Sequence, residues 1–275
     1  MKVLETKESL AKILQPFRHT TIGFVPTMGA LHEGHISLMK RCKENKIRVA
    51  SIFVNPTQFN DRSDLVNYPR RLDKDLKMLS SAGCDFVFAP TEAEMYPEED
   101  TREFDFGMLE KVMEGAHRPG HFNGVAQIVS KLFDIVQPNK AYFGEKDFQQ
   151  LAIIRQLVEI MNYNVQIVSC PTIRESNGLA MSSRNLLLTP NQRKNASIIP
   201  RTLFACKEKI RSTSLYDLKK WAIEKIDSVP EFQTEYFDIV DRYTLQTAAE
   251  YEFDALQACV AVRVGNIRLI DNVGI

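Results

Sequence analysis

Two histidines three residues apart, His32 and His35, bracket Gly34 in the stretch VPTMGALHEGHISL, residues 25–38. An apolar run ends just before them and a helical pattern starts just after, so Gly34 and His35 are placed to open a helix that follows a strand. The exposed N–H groups and partial positive charge of a helix N-terminus attract anions and disfavour a charged imidazole, so neutral histidines donating an N–H there suit a phosphate. Three alternatives stand beside that reading. The pair could bind a metal, but HExxH is absent and no cysteine pair supports a site. It could do acid/base work, or it could simply pack.

Four other stretches carry residues of the same kind. YFGEKDFQQ, residues 142–150, offers Gly144 for close backbone approach, Lys146 to neutralise phosphate and Asp147 to cap a following helix. GLAMSSRN, residues 178–185, offers two hydroxyls and a guanidinium, Ser182, Ser183 and Arg184, a set suited to clamping phosphate. FVNPTQFN, residues 53–60, holds the neutral amides of Asn55 and Gln58, suited to hydroxyl or carboxylate recognition. HRPGHFNG, residues 117–124, adds Arg118 and His121 and is weak as a lone signal. The bland counterparts are a solvated charged loop, a helix cap with a surface arginine, and an ordinary turn.

The elements that must position these residues alternate in the first two thirds of the chain. TIGFVP, IRVASIFV, CDFVFAP, KAYFG and YNVQIVSCP read as strands buried on both faces; GHISLMKRCKEN, a segment from about Arg70 to Gly83, NGVAQIVSKLFDIVQP and DFQQLAIIRQLVEIMN read as helices. Strand–helix alternation with short connections predicts a Rossmann-like parallel sheet with helices on both faces, over residues 1–175. In such sheets ligands sit beyond the carboxyl ends of the strands, where four of the polar stretches fall. Residues 176–275 change texture: two helical segments, the strand QTEYFDIVD and a hairpin turning at Gly265-Asn266 predict a smaller α+β domain.

Composition narrows the function classes. Lys+Arg and Asp+Glu both number 35, a neutral balance that argues against nucleic acid as the main partner. Five scattered cysteines without a CxxC fit reduced thiols in the cytoplasm. The opening MKVLETKESLAKIL lacks the apolar core of a signal segment, and no stretch approaches the roughly 18 apolar residues a membrane span needs.

Taken together, PTMGALHEGH, FVNPTQF, YPR, HRPGHFNGV, FGEKDFQQ and GLAMSSRN resemble, in order and over nearly the whole chain, the pantothenate synthetases, the pantoate–β-alanine ligase family. HEGH is similar to the HIGH motif of the wider nucleotidyltransferase-like superfamily, and MSSRN resembles its KMSKS loop. It departs from that loop in having Ala180 where the first lysine would stand, so the cation is expected from Lys146 and Arg184.

The resemblance implies ATP-dependent condensation of pantoate with β-alanine through pantoyl adenylate, releasing pyrophosphate and then AMP. It implies His32, His35, Lys146, Ser182, Ser183 and Arg184 as catalytic donors, with His35 also a candidate proton donor. ATP is expected against Pro26, Thr27, Met28, Gly29, Ala30, Leu31, His32, Glu33, Gly34 and His35. Gly144, Glu145, Lys146, Asp147, Ile173, Met181, Ser182, Ser183 and Arg184 complete that set, Ile173 offering backbone to adenine. Gln58, Gln150 and Met28 would hold pantoate, and Gln58 also β-alanine. Mg²⁺ would bridge ATP phosphates rather than occupy a protein metal site. The second domain would act as a lid, and the family implies a homodimer. The alternative is another HxGH nucleotidylyltransferase, which leaves its nucleotide on the product. A nucleotide-binding module without activity is the reading from another class, and it would lack a histidine or the lysine.

Overall fold

Six strands, all parallel, form the main sheet of the computed structural model, which describes residues 1–247 and 255–275. They are β1 (Lys2–Leu4), β2 (Ile22–Thr27), β3 (Ile47–Ile52), β4 (Phe86–Phe88), β5 (Lys140–Gly144) and β6 (Gln166–Cys170). Their order is β1-β4-β3-β2-β5-β6, so the direction of winding reverses between β2 and β5. The helices met along the chain up to residue 160 are α1 (Lys7–Leu14), α2 (Glu33–Arg41), α3 (Arg62–Asn67), α4 (Leu72–Ser81), α5 (Glu92–Met95), α6 (Met113–His117), α7 (His121–Val136) and α8 (Phe148–Ile160).

The expected parallel sheet is present. The expected helix from about Arg70 begins at Leu72, and β1, α1, α3, α5 and α6 are additions to the elements named from the sequence. All but the eight-residue α1 are six residues or fewer, too short to display a period.

Pro26 lies inside β2, a central strand, where a missing N–H would normally break a ladder. Here it does not. Ile22 bonds toward β5 through Asn139, and Thr27 toward β3 through Phe53, so by strand alternation Pro26 faces the β5 side. On that side the ladder ends at Phe24↔Ala141, two residues earlier. The β3 ladder, by contrast, runs through Thr27↔Ile52.

The chain divides into two compact units. The first comprises Met1–Phe106, Arg118–Glu145 and Gln150–Pro171; the second comprises Gly107–His117, Lys146–Gln149 and Thr172–Ile275. The division near the end of β6 falls four residues before the expected 175/176 boundary, and two short internal segments join the second unit. Hydrogen bonds account for this. Gln149 Nε2 donates to the carbonyls of Leu109 (2.7 Å) and Val112 (2.8 Å) and its Oε1 accepts from Glu114 N (2.9 Å). Glu114 is in turn held by both terminal nitrogens of Arg268, at 2.8 Å each, and by Tyr236 Oη.

The second unit is a three-stranded antiparallel sheet, β7 (Phe232–Asp241), β8 (Leu256–Val264) and β9 (Ile267–Gly274), in the order β7-β8-β9. Helices α9 (Pro190–Asn195), α10 (Ile198–Lys209) and α11 (Leu215–Asp227) accompany it. The hairpin turn is at Gly265–Asn266, as the sequence predicts, because Val264 pairs with Ile267. Leu203, Leu218, Ile226, Phe237 and Val260, all fully buried, form its core. The first unit's core includes Val25, Met39, Ala50, Val87 and Tyr142, also fully buried.

In the first unit, α7 packs on the turn Pro56–Gln58 through Gly124. A Cβ at residue 124 would meet the carbonyl of Thr57 and stand 2.8 Å from Gln58 N, both backbone atoms that cannot turn aside. Gly124→Ala should therefore lower unfolding stability in urea by about 1–3 kcal/mol through overpacking. An unchanged denaturation midpoint would show that α7 and the turn are not in close contact.

Candidate active site

The residues singled out by chemistry fall into two sets, one in each compact unit. In the first unit, β2 ends at Thr27 and the chain turns through Met28–Leu31 before α2 begins at Glu33. Gly29 and Ala30 both take left-handed backbone angles, φ +81° and +49°. That conformation is natural for glycine and uncommon for alanine, so something must hold it. Asp75 of α4 does so. Its Oδ2 accepts from Ala30 N and its Oδ1 from Leu31 N, both at 2.8 Å, and the residue is 1% exposed. Burial pushes the Asp75 carboxyl above the usual aspartate range, while the two backbone N–H groups and the nearby Lys74 and Arg71 pull it back down. Thr27 adds a second anchor: its hydroxyl donates to Ser51 O (2.7 Å) and accepts from Gly29 N (3.2 Å).

The turn delivers His32 to the N-cap of α2. Its Nδ1 accepts from Gly34 N at 3.2 Å, and His35 Nδ1 accepts from His32 N at 3.3 Å, a reciprocal cap built from two imidazoles. The rings lie 4.1 Å apart between centroids. A neutral imidazole that accepts at Nδ1 carries its proton at Nε2, so the backbone sets both rings as Nε2–H donors. Among the described residues, no group of three or more His, Cys, Asp and Glu side chains is placed to hold a metal ion.

Gln58 is fixed from several directions. Its Oε1 accepts from Asn55 Nδ2 (3.1 Å), and its Nε2 points at Met28 Sδ (3.2 Å), which brings together two of the residues expected to hold pantoate. Its backbone carbonyl lies 2.8 Å from His121 Nδ1 and accepts from Arg118 Nη2 at 3.2 Å. Arg118 Nη1 lies 3.1 Å from His121 Nε2, the arrangement of a guanidinium donating to a neutral ring.

The HRPGH stretch, weak as a sequence signal, is thus a clamp on Gln58. Asn55 departs from the sequence reading. It is 1% exposed, its Oδ1 accepts from Tyr96 Oη (2.6 Å), and its Nδ2 is occupied by Gln58 and by the Gly124 carbonyl. It orients Gln58 rather than offering its own amide to a ligand. Gln150 is half-buried in the first turn of α8 and, among the described residues, bonds neither Met28 nor Gln58. Gly144 closes β5, and Glu145 N donates to Cys170 O. Both follow the strand beside the winding reversal, where open α/β sheets bind ligands.

The second unit holds Lys146, Asp147, Ile173 and Met181–Arg184. Lys146 is half-buried and its Nζ lies 3.3 Å from Asp147 Oδ1. Asp147 stands immediately before α8, the position of a helix cap, but the bond made by its carboxylate is to Lys146. Ile173 O accepts from Met181 N at 2.9 Å. Ser182 caps the short 3₁₀ turn Ser183–Leu187 with its Oγ accepting from Arg184 N. Ser183 is buried and Arg184 half-buried.

The family model described as Pantoate-beta-alanine ligase matches residues 2–274. A pantothenate synthetase of Azobacteroides pseudotrichonymphae is 54% identical over 98% of this chain and 97% of its own length. The crystal structure of pantothenate synthetase from Thermus thermophilus superposes with a TM-score of 0.94 at 43% identity, covering 100% of this chain and 99% of that one. The pantoate-beta-alanine ligase of Francisella tularensis, solved with beta-gamma ATP and beta-alanine, gives 0.82 at 36% identity, covering 99% and 97%.

Asp75→Asn replaces one of the two acceptors with a donor facing a backbone N–H. We expect a loss of about 1–3 kcal/mol in urea unfolding, the cost of an unmet buried donor. Lys77→Gln, exposed on the same helix, should stay within about 0.5 kcal/mol. Matching midpoints for the two variants would rule out the tether.

Proposed function

We propose, from the premise that this chain belongs to the pantoate–β-alanine ligase family, that His32, His35, Lys146, Ser182, Ser183 and Arg184 carry the ATP chemistry of its reaction. The protein is a ligase that condenses pantoate with β-alanine, with ATP as co-substrate. The observation that supports the residue roles best is the histidine pair, set as two Nε2–H donors at the N-terminus of α2.

The pantoate carboxylate is ionised at neutral pH, so its attack on the α-phosphorus of ATP needs no base. The barrier lies in charge gathering on the phosphoryl oxygens and the departing pyrophosphate. Donors held in place before the reaction meet that charge without reorganising. Two neutral imidazoles do so from the field of a helix end, and Lys146 and Arg184 supply the cations, with the Ser182 and Ser183 hydroxyls completing the set. Mg²⁺ enters as part of the nucleotide substrate. Gln58, with Met28 beside it, is the pantoate contact, joined by Gln150. A neutral amide satisfies the pantoate hydroxyls without an ion pair that would hold back the reacting carboxylate. In the second half-reaction the neutral amine of β-alanine attacks the acyl carbon of pantoyl adenylate, and AMP leaves. Gln58 is assigned to this substrate too.

The remaining expected ATP contacts, from Pro26 through Gly34 and at Gly144, Glu145, Asp147, Ile173 and Met181, are part of the same proposal. The family resemblance supports a homodimer in the cytoplasm. Five buried, unpaired cysteines suit a reducing compartment, and among the described residues no helix is long and apolar enough to cross a membrane.

Two measurements test this reading. His35→Ala and Lys146→Ala should each slow adenylation about a hundredfold or more, the usual consequence of losing a donor to developing charge. Their thermal midpoints should change far less than their rates, and wild-type turnover in both variants would overturn the roles. The order of steps is tested by isotope exchange. Labelled pyrophosphate should enter ATP when pantoate is present and β-alanine is absent, and free AMP should appear only once β-alanine is added. Exchange that strictly required β-alanine would favour a concerted attack over the adenylate.

A further inference from the structure

Near the chain's end, β9 carries a buried acid and amide that bond Lys146 and Arg174, the residue that follows Ile173, in the second unit. Asp271 is 3% exposed. Its two oxygens receive both terminal nitrogens of Arg174, Nη1 at 2.7 Å and Nη2 at 2.9 Å, a fork-to-fork ion pair. The same carboxylate accepts from Asn272 N at 2.8 Å. Arg174 also reaches the carbonyls of Gly178 (3.1 Å) and Asn272 (3.3 Å), and its guanidinium lies over the Phe204 ring. Asn272 turns the other way. Its Nδ2 donates to the backbone carbonyl of Lys146 at 2.8 Å, while its Oδ1 accepts from Gln257 Nε2 at 2.7 Å.

Arg174 sits next to Ile173 and forms an antiparallel bridge with Ala180. Met181 N bonds Ile173 O at 2.9 Å, and the chain then runs directly into Ser182, Ser183 and Arg184. A two-residue step of β9 therefore touches both segments that supply donors in this unit, Lys146 on one side and the 173–184 loop on the other.

We infer that Asp271 and Asn272 are positioning residues for ATP: through Asn272 they set the backbone from which Lys146 extends, and through Arg174 they hold the loop that presents Ser182 to Arg184. The inference rests on the ATP roles proposed above. The reaction explains why the pair is worth keeping in a sheet. A lysine and an arginine that meet developing charge must be fixed before it develops. A flexible lysine side chain gains that order only if its backbone is held. An apolar pair at these positions would leave the Lys146 carbonyl without the Asn272 amide and the Arg174 guanidinium without its carboxylate.

The test compares steady-state pyrophosphate–ATP exchange in four full-length proteins: wild type, Lys146→Ala, Asn272→Ala and Val262→Ala. Val262 is fully buried in the same core and pairs with Leu269 rather than with Asn272, so its truncation lowers stability without touching the linkage. Asn272→Ala should raise the KM for ATP about tenfold, the scale of one lost hydrogen bond to a group that must stay put, and leave the KM for pantoate within about twofold. Val262→Ala should lower the thermal midpoint while leaving both KM values near wild type.

Should Asn272→Ala fail to fold, Arg174→Lys keeps the charge and loses the fork, and the same selective rise in the ATP KM is expected of it. Equal rises for ATP and pantoate, or a rise in Val262→Ala matching that in Asn272→Ala, would reduce the pair to ordinary scaffolding and overturn the inference. Full activity in Lys146→Ala would instead bring down the ATP assignment, and this inference with it. Loss of exchange in Lys146→Ala with an unmoved ATP KM in Asn272→Ala refutes the positioning role alone.

Discussion

One buried carboxylate bears the geometry of the first unit. The strand-to-helix turn after β2 must reverse within four residues and still deliver two imidazoles to the first turn of α2. It does so by placing Gly29 and Ala30 in the left-handed region, and Asp75 holds that shape by accepting from the backbone N–H groups of Ala30 and Leu31. An unpaired buried carboxylate would be costly, and an unmet pair of buried N–H groups would be costly too. Each satisfies the other. Because the acceptor sits on α4, the turn is fixed to a separate helix rather than to its own neighbours. The histidine cap then follows locally: once His32 is at the N-cap, both Nδ1 atoms face backbone N–H groups and both protons go to Nε2.

A similar logic holds Gln58, with different chemistry. Its carbonyl is gripped by Arg118 and His121, its side chain by Asn55, and Gly124 lets α7 approach its backbone. No charged group is presented by the side chain itself. The charge of Arg118 is spent on a backbone oxygen and on His121, so the amide is oriented by a cation without being replaced by one. That distinction fits a residue assigned to a substrate whose carboxylate must remain reactive.

What could be read beforehand and what could not divide along the range of the interactions. The strands were legible because burial on both faces writes a continuous apolar run, as in IRVASI of β3. The HEGH stretch was legible because strand, turn and helix are adjacent in sequence. Asp75 was not: in DKDLK it is one acid of a polar helix start, and its partners lie 44 and 45 positions earlier. Asn55 looks like a ligand contact from its own stretch for the same reason, since its bond to Tyr96, 41 positions away, is invisible locally. The weak HRPGH stretch gained meaning only when the fold set it against Gln58. Segments 107–117 and 146–149 join the second unit because Gln149 and Glu114 bind residues that sequence order keeps apart.

The two units reach their ordered donors by opposite routes, and the sheet type explains why. In a parallel sheet every strand end points the same way, so loops after β2 and β5 emerge on one edge by topology alone, and only local tethers such as Asp75 are needed. An antiparallel sheet offers no such edge. Its hairpins scatter loops to both ends, and a site assembled there needs cross-links between segments distant in sequence. The second unit supplies them with the Arg174–Asp271 pair, its carboxylate buried, and the Asn272 amide. Such groups gain little over well-packed apolar residues where stability alone is concerned. On the inference drawn above, their presence in β9 answers a requirement that packing cannot meet, the directional fixing of a backbone carbonyl and a guanidinium beside the segments assigned to ATP.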